Sequence, residues 1–277
     1  MTENPCAKIN IGLNIVGRRA DGYHNLETVF YPIPLYDRLT IEEAPVGGAM
    51  CRLETTGQSV DCAPEDNLVV RAYHLLRATH PLPPIDIHLH KGIPSQAGLG
   101  GGSSDVGYAI RMLNEQFSLG MTHDEMRRYA SRLGADCAFF IHPEPCYGTG
   151  IGDELRPCGD EMPPLRGYWL VIVKPPVAVS TKEAYSLVHA KAPKENCLAI
   201  VSDPVATWRE RLTNDFEESV FALYPQIKAV RDQLYELGAL YAQMSGSGSA
   251  VFGLFGKAPA GIGQHFAGMF CEAVQLP

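Results

Sequence analysis

No part of this chain stays apolar for long. The longest apolar run, Tyr168 to Val173, falls far short of the ~20 residues a helix needs to span a bilayer, so no membrane association is expected. Basic charge is scarce as well: 23 Lys and Arg stand against 31 Asp and Glu, a net charge of −8, and there is no basic run. This argues against nucleic acid or an acidic membrane surface as a partner. The eight cysteines make no C-x-x-C pair and follow no regular spacing, which reads as reduced thiols rather than a disulfide framework. The opening residues Met1 to Pro5 do not resemble a secretory signal, and a cytoplasmic protein is expected. Internal repeats and low-complexity segments are missing too.

What remains is an ordinary globular composition, 45% hydrophobic and 19% charged. At 277 residues the chain is long for one core and suits two domains. Arg156 to Arg166, with three prolines and one glycine, marks a passage between them. The expected division is 1–155 and 156–277.

The most informative stretch is Pro94, Ser95, Gln96, Ala97, Gly98, Leu99, Gly100, Gly101, Gly102, Ser103 and Ser104. Before it, Ile85 to His90 alternates apolar and polar, as a half-buried strand does. After it, Val106, Ala109, Ile110, Met112 and Leu113 recur at helical spacing. The stretch is therefore a loop from strand to helix, with Ser103 or Ser104 expected as the N-cap. Its four glycines can adopt φ > 0 without steric cost and aim successive N–H groups at one point. A loop of this kind at a helix N-terminus is an anion site, and the expected anion is phosphate. It is not a P-loop, because Ser103, Ser104 and Asp105 stand where Lys and Ser/Thr are required. It is not the dinucleotide fingerprint either, whose sixth position here is Ser103.

Other elements follow from local signals. Ala7 to Val16 alternates strictly, with Ile9, Ile11, Leu13 and Ile15 on one face and Lys8, Asn10, Gly12 and Asn14 on the other. Taken alone, Lys8 fits a solvated sheet face; it could equally offer a cation to a cleft. Asp21 and Gly22 form a turn, and Tyr23 and His24 beside it could stack on a planar base. Asp66 and Asn67 can cap a helix. Thr122 with Glu125, and Ser180 with Glu183, read as capping boxes. Asp136 lies between a helix stop at Gly134 and an apolar run, where an N-cap role is at least as plausible as chemistry. Asn214 and Asp215 should cap a further helix, and Pro259 to Met269 reads as a last one. Gln243 to Ser249 is a second glycine–serine loop. Two glycine loops in two halves suggest a cleft between domains, the usual place for a small-molecule site.

Together these stretches resemble the kinases named for galactose, homoserine, mevalonate and phosphomevalonate. Lys8, Ile9 and Asn10 are similar to their first motif, Pro94 to Ser104 to their phosphate loop, and Gln243 to Ser249 to their third. Within that superfamily the resemblance is to the diphosphocytidyl-methylerythritol kinases. It rests on Ala7 to Asn10, Arg19 to His24, Asn67 to Val69, Gly98 to Asp105, Leu133 to Asp136 and Asn214 to Glu217, which occur in that family's order. The resemblance implies an α+β fold of two domains: an N-terminal one like the second domain of ribosomal protein S5, and a smaller C-terminal α+β one, with the active site in the cleft between them. It implies ATP and Mg²⁺, and a small-molecule substrate whose 2-hydroxyl is phosphorylated; a homoserine or mevalonate type of kinase is the alternative. It makes Lys8 and Asp136 the catalytic pair. Pro94 to Ser104 and Asn67 would serve the nucleotide, with Ser104 a candidate Mg²⁺ ligand. The acceptor would meet Asn10, Tyr23, His24, Thr181, Tyr185, Ser245, Gly246, Ser247 and Gly248, with cytosine between Tyr23 and Tyr185. Oligomeric state is left open by the sequence.

Overall fold

The computed structural model describes residues 1–45, 47–60, 62–188 and 190–277. In chain order the elements are β1 (Thr2–Glu3), β2 (Cys6–Arg18), β3 (His24–Tyr36), β4 (Arg38–Glu43), β5 (Cys51–Gly57), α1 (Leu68–Arg77), β6 (Ile85–Lys91), α2 (Gly101–Gln116) and α3 (His123–Ser131). A 3₁₀ helix, Ala135–Ile141, precedes β7 (Cys146–Thr149), β8 (Glu154–Pro157), β9 (Trp169–Lys174), α4 (Thr181–Leu187), α5 (Cys197–Val201) and α6 (Phe216–Leu223). The chain closes with α7 (Pro225–Glu236), β10 (Tyr241–Met244), β11 (Val251–Phe255), α8 (Ile262–His265) and β12 (Phe270–Gln275). It divides into two compact units that are not consecutive stretches. The first comprises Met1–Ala7, Leu35–Ser95 and Gly100–Pro143; the second comprises Lys8–Pro34, Gln96–Leu99 and Glu144–Pro277.

In the first unit four strands pair in the order β1-β4-β6-β5. β4 runs antiparallel to β6, with Ile41 opposite Ile87, and β5 runs parallel to it, with Leu53 opposite Ile87. The alternation of β6 buries Ile85, Ile87 and Leu89. α1 packs on α2 and presents Val69, Val70, Ala72, Tyr73 and Leu76 to the core. α3 starts with the expected capping box, Thr122 Oγ accepting from Glu125 N–H and the Glu125 carboxylate accepting from Thr122 N–H.

In the second unit β9 is central to an antiparallel sheet of order β10-β11-β9-β12, with Val173 opposite both Val251 and Cys271. Its core joins Val171, Val173, Val251 and Phe255 to Phe216, Val220, Ile227, Val230 and Leu234 of the helices, and to Leu13, Ile15 and Leu26 of the early strands. A further sheet has the order β2-β3-β7-β8.

One expectation fails locally. The last helix is only Ile262–His265, and Phe270–Gln275 after it forms a strand beside β9. The expected cap of α6 is supplied by one of the two residues: Asn214 Oδ1 accepts from Phe216 N–H at 3.0 Å, while Asp215, at the N-cap position, makes no side-chain cap and its Oδ2 takes the N–H of Ile15 at 2.7 Å.

Candidate active site

In the second unit β2 carries two buried faces. Ile9, Ile11 and Ile15 are fully enclosed, and on the opposite face Lys8 and Asn10 are each only 2% exposed. A solvated sheet face is therefore excluded for Lys8. A buried ammonium needs partners, and Lys8 Nζ donates to Asn10 Oδ1 at 2.6 Å and to the carbonyl of Gly98 at 3.0 Å, 5.5 Å from the centre of the Phe30 ring. Asn10 in turn donates through Nδ2 to Thr28 Oγ1 at 3.1 Å.

The glycine–serine loop after β10 closes on the same cluster. Ser245 Oγ donates to the Gly98 carbonyl at 2.9 Å and accepts the N–H of Asn10 at 3.2 Å. Gly246 has φ +54°, and a Cβ there would sit 3.2 Å from Asn10 Oδ1. Ser247 Oγ lies 3.1 Å from Thr181 Oγ1, and the main chain turns again at Gly248, φ +90°. Asn214 Nδ2 donates to the carbonyls of Met244 and Gly246, both at 2.8 Å. Gln243 Oε1 takes the N–H of Gly12 at 2.8 Å. Gln96 to Leu99 is held through its main chain: Ala97 O accepts from Ala250 N–H and Leu99 O from Lys8 N–H.

Two of the rings expected at a base are stacked on one another. The ring stacked on Tyr185 is His24, with centroids 5.3 Å apart and planes at 22°, and Phe216 meets Tyr185 edge-on at 4.8 Å. Tyr23 is 62% exposed.

The first unit holds the helix side of the glycine stretch. α2 begins at Gly101, ahead of both Ser103 and Ser104, the expected caps, and its N-cap is Gly100 in the left-handed region at φ +73° with no side-chain cap. Of the four glycines, Gly98 and Gly100 take positive φ; Gly101 and Gly102 are the first helical residues. The first intrahelical bond runs from Ser104 N–H to Gly100 O, so the N–H groups of Gly101, Gly102 and Ser103 have no acceptor within the helix. Ser104 Oγ is fully buried and lacks a hydrogen-bond partner. Pro94 is buried, and Ser95 Oγ donates to Ser59 O at 3.1 Å. Asn67 Oδ1 caps α1 through Val69 N–H at 3.0 Å. Asp136 is half-buried in the first turn of the 3₁₀ helix, whose N-cap is Gly134; the cap that Asp136 could have supplied is therefore at another residue.

Beneath the start of α2 lies a group that sequence reasoning missed. Lys91 Nζ pairs with Asp37 Oδ2 and, at 2.6 Å, with Asp105 Oδ2; the three side chains are 4%, 0% and 3% exposed. Burial works against the Lys91 ammonium, but the two carboxylates more than offset it and hold its pKa above the ordinary lysine value. Burial pushes the Asp105 carboxyl up to about 8, with Lys91 opposing and Asp37 adding to the shift. The signal was present in the strand: Lys91 continues the buried register of Ile85, Ile87 and Leu89, and a charge on an apolar face calls for a buried partner.

Among the described residues no cluster of three or more His, Cys, Asp or Glu side chains could hold a metal, and no helix is long and apolar enough to cross a membrane.

A glycine-rich helix start without a side-chain cap, and a buried lysine tied to a second glycine loop, are features of a small-molecule kinase. The family of GHMP kinases matches in both its parts, the N-terminal domain over residues 67–144 and the C-terminal domain over 199–266. The 4-diphosphocytidyl-2-C-methyl-D-erythritol kinase of Bacteroides fragilis is 47% identical over 98% of each chain, and that of Bacteroides thetaiotaomicron 49% identical over 91% of this chain and 90% of its own. A crystal structure of 4-(cytidine 5'-diphospho)-2C-methyl-D-erythritol kinase superposes over 100% of both chains with a TM-score of 0.82 at 30% identity. A mevalonate kinase from Methanococcus jannaschii, at 14% identity and a TM-score of 0.72 over 100% of this chain and 98% of its own, shares the fold. The chain belongs to the 4-diphosphocytidyl-2-C-methyl-D-erythritol kinase family.

Proposed function

We propose that this chain transfers the γ-phosphoryl group of ATP to the 2-hydroxyl of 4-diphosphocytidyl-2-C-methyl-D-erythritol, giving the 2-phosphate and ADP on the non-mevalonate route to isoprenoid precursors. The observation that carries the reading is 47% identity over 98% of both chains to a relative of that name. The domain limits 1–155 and 156–277 are part of the proposal; the two family matches, 67–144 and 199–266, fall one within each.

Phosphoryl transfer asks a protein mainly for positioning and charge neutralisation. The free N–H groups of Gly101, Gly102 and Ser103, with the N-terminal end of the α2 dipole, suit the β- and γ-phosphates. Lys8 stabilises charge on the transferring group and lowers the pKa of the attacking hydroxyl, and Asn10 orients the methylerythritol end. Asp136 accepts the hydroxyl proton or holds the hydroxyl in line. Tyr23, His24 and Tyr185 recognise cytosine, and Thr181 with Ser245 to Gly248 borders the acceptor. Mg²⁺ fits as a companion of the nucleotide: it takes few protein ligands and hard oxygen donors, and the unpartnered Ser104 Oγ is such a donor. When bound, it neutralises charge on the phosphates.

The test is ADP release by the purified chain with a panel of alcohols. Saturable turnover confined to the diphosphocytidyl alcohol is expected. Equal or better kcat/KM with homoserine or mevalonate would overturn the reading.

A further inference from the structure

The ion-paired group of Lys91, Asp37 and Asp105 spans both ends of the phosphate stretch. Lys91 is the last residue of β6 and Asp105 lies one turn into α2, so their 2.6 Å pair ties strand end to helix start beneath the loop that joins them. Asp37, between β3 and β4, fixes the strand exit: its Oδ1 accepts from Gly92 N–H at 2.7 Å and Ile93 N–H at 2.9 Å. The helix start is packed against the same residues. A Cβ on Gly101 would lie 2.9 Å from Ile93 Cγ2 and 3.4 Å from Lys91 Nζ. Two carboxylates around one ammonium is costly in a dry interior, and hydrophobic residues of similar volume would fill the space without that cost. What the charged group supplies instead is direction. It holds the first turn of α2, whose end has no side-chain cap, at a set position relative to the strand.

From this geometry we infer that Lys91 is a positioning residue for the nucleotide phosphates. By holding Asp37 and Asp105 together it sets where the free N–H groups of Gly101, Gly102 and Ser103 point. The inference rests on the reading of α2 as the phosphate-binding helix. Lys91 itself touches no phosphate; it acts through the backbone it anchors.

Calorimetric binding of ATP and of AMP to the full-length chain tests this, because only the nucleotide with the longer phosphate chain depends on the anchored turn. Asp105→Leu removes, at similar volume, the one of the two acceptors of Lys91 that lies on α2. It should weaken ATP about tenfold or more, the low end of what loss of an orienting partner costs a metal site, while AMP affinity stays within about twofold of wild type. Asp105→Asn retains an oxygen for Lys91 Nζ to bond and should recover most of the ATP affinity. If Asp105→Leu does not fold, Lys91→Met combined with Asp105→Leu removes both members of that pair and leaves Asp37 to the N–H groups of Gly92 and Ile93, and the same ATP-to-AMP ratio decides. A folded variant whose ratio equals that of wild type would overturn the inference. A wild-type protein that binds ATP no more tightly than AMP would instead overturn the phosphate reading of α2, so the two failures are told apart by which protein shows them.

Discussion

Gly98→Ala is the sharpest single probe of the cluster around Lys8. Gly98 has φ +72°, and a Cβ there would overlap the Ser245 carbonyl oxygen and sit 2.9 Å from its carbon and 3.2 Å from Gly248 N. These are backbone atoms, so no side-chain rotation relieves the overlap and the two glycine loops must separate. Holding an L-residue in the left-handed region costs about 1–2 kcal/mol. The Gly98 carbonyl accepts from both Lys8 Nζ and Ser245 Oγ, and losing the hydrogen bond to the charged group adds about 1.5–3 kcal/mol. A loss of roughly 2.5–5 kcal/mol lies at or below the lower end of the usual stability of about 5–15 kcal/mol, so the variant should fold with a melting temperature lower by several degrees. Its kcat should fall further than its stability suggests. Displacing the anchor of Lys8 by on the order of 1 Å is enough for about a 10²-fold loss. Differential scanning calorimetry and steady-state ADP release on one preparation measure both. Gly263→Ala, where a Cβ would meet nothing within 4 Å, serves as the control for adding a methyl group. A Gly98→Ala protein that melts and turns over like wild type would refute the packing of the two loops through Gly98 and Ser245.

Lys8→Met keeps the length of the side chain and removes its charge; kcat should fall by about 10²–10³-fold, as for loss of a charge-stabilising donor, with ATP affinity changed far less, and near-normal turnover would end the catalytic assignment. For Asp136→Asn, with the N-cap already supplied by Gly134, melting should be nearly unchanged while kcat drops by about 10²-fold or more; an active but unstable variant would make the carboxylate structural. Glu217 is half-buried and its pKa lies above the ordinary glutamate value, because burial of its carboxyl outweighs the Met244 N–H and Arg231 that favour its charge. The folded state therefore keeps this proton to higher pH than the unfolded chain. Its contribution to stability is full below the unfolded value of about 4.3 and is lost as pH rises through the folded value. Glu217→Gln should flatten the pH dependence of melting in that window, and parallel curves for the two proteins would refute the assignment.

The sequence by itself determined whatever depends on neighbours along the chain. Strict alternation in Ile85 to His90 and Ala7 to Val16 specified strands because side chains alternate faces with a period of two. Thr122 with Glu125 specified a helix start because a cap needs only residues three apart. Four glycines after the strand announced a backbone-presenting turn into a helix, although two of them, Gly101 and Gly102, open the helix itself. The motif order was also sufficient to reach the family. Tertiary structure decided what depends on residues brought from afar. Ser103 and Ser104 look like caps locally, yet the helix begins at Gly101, where Ile93 and Lys91 leave no room for a Cβ. Lys8 reads as a surface residue until Gly98 and Asn10 close over it, and Asn214 reads only as a cap, yet while its Oδ1 caps α6 its amide nitrogen holds Met244 and Gly246. The stacking of His24 on Tyr185 and the pairing of Lys91 with Asp37 and Asp105 have the same cause. Local propensity acts over three or four residues, whereas burying a charge or stacking a ring requires partners that only the folded chain brings within reach.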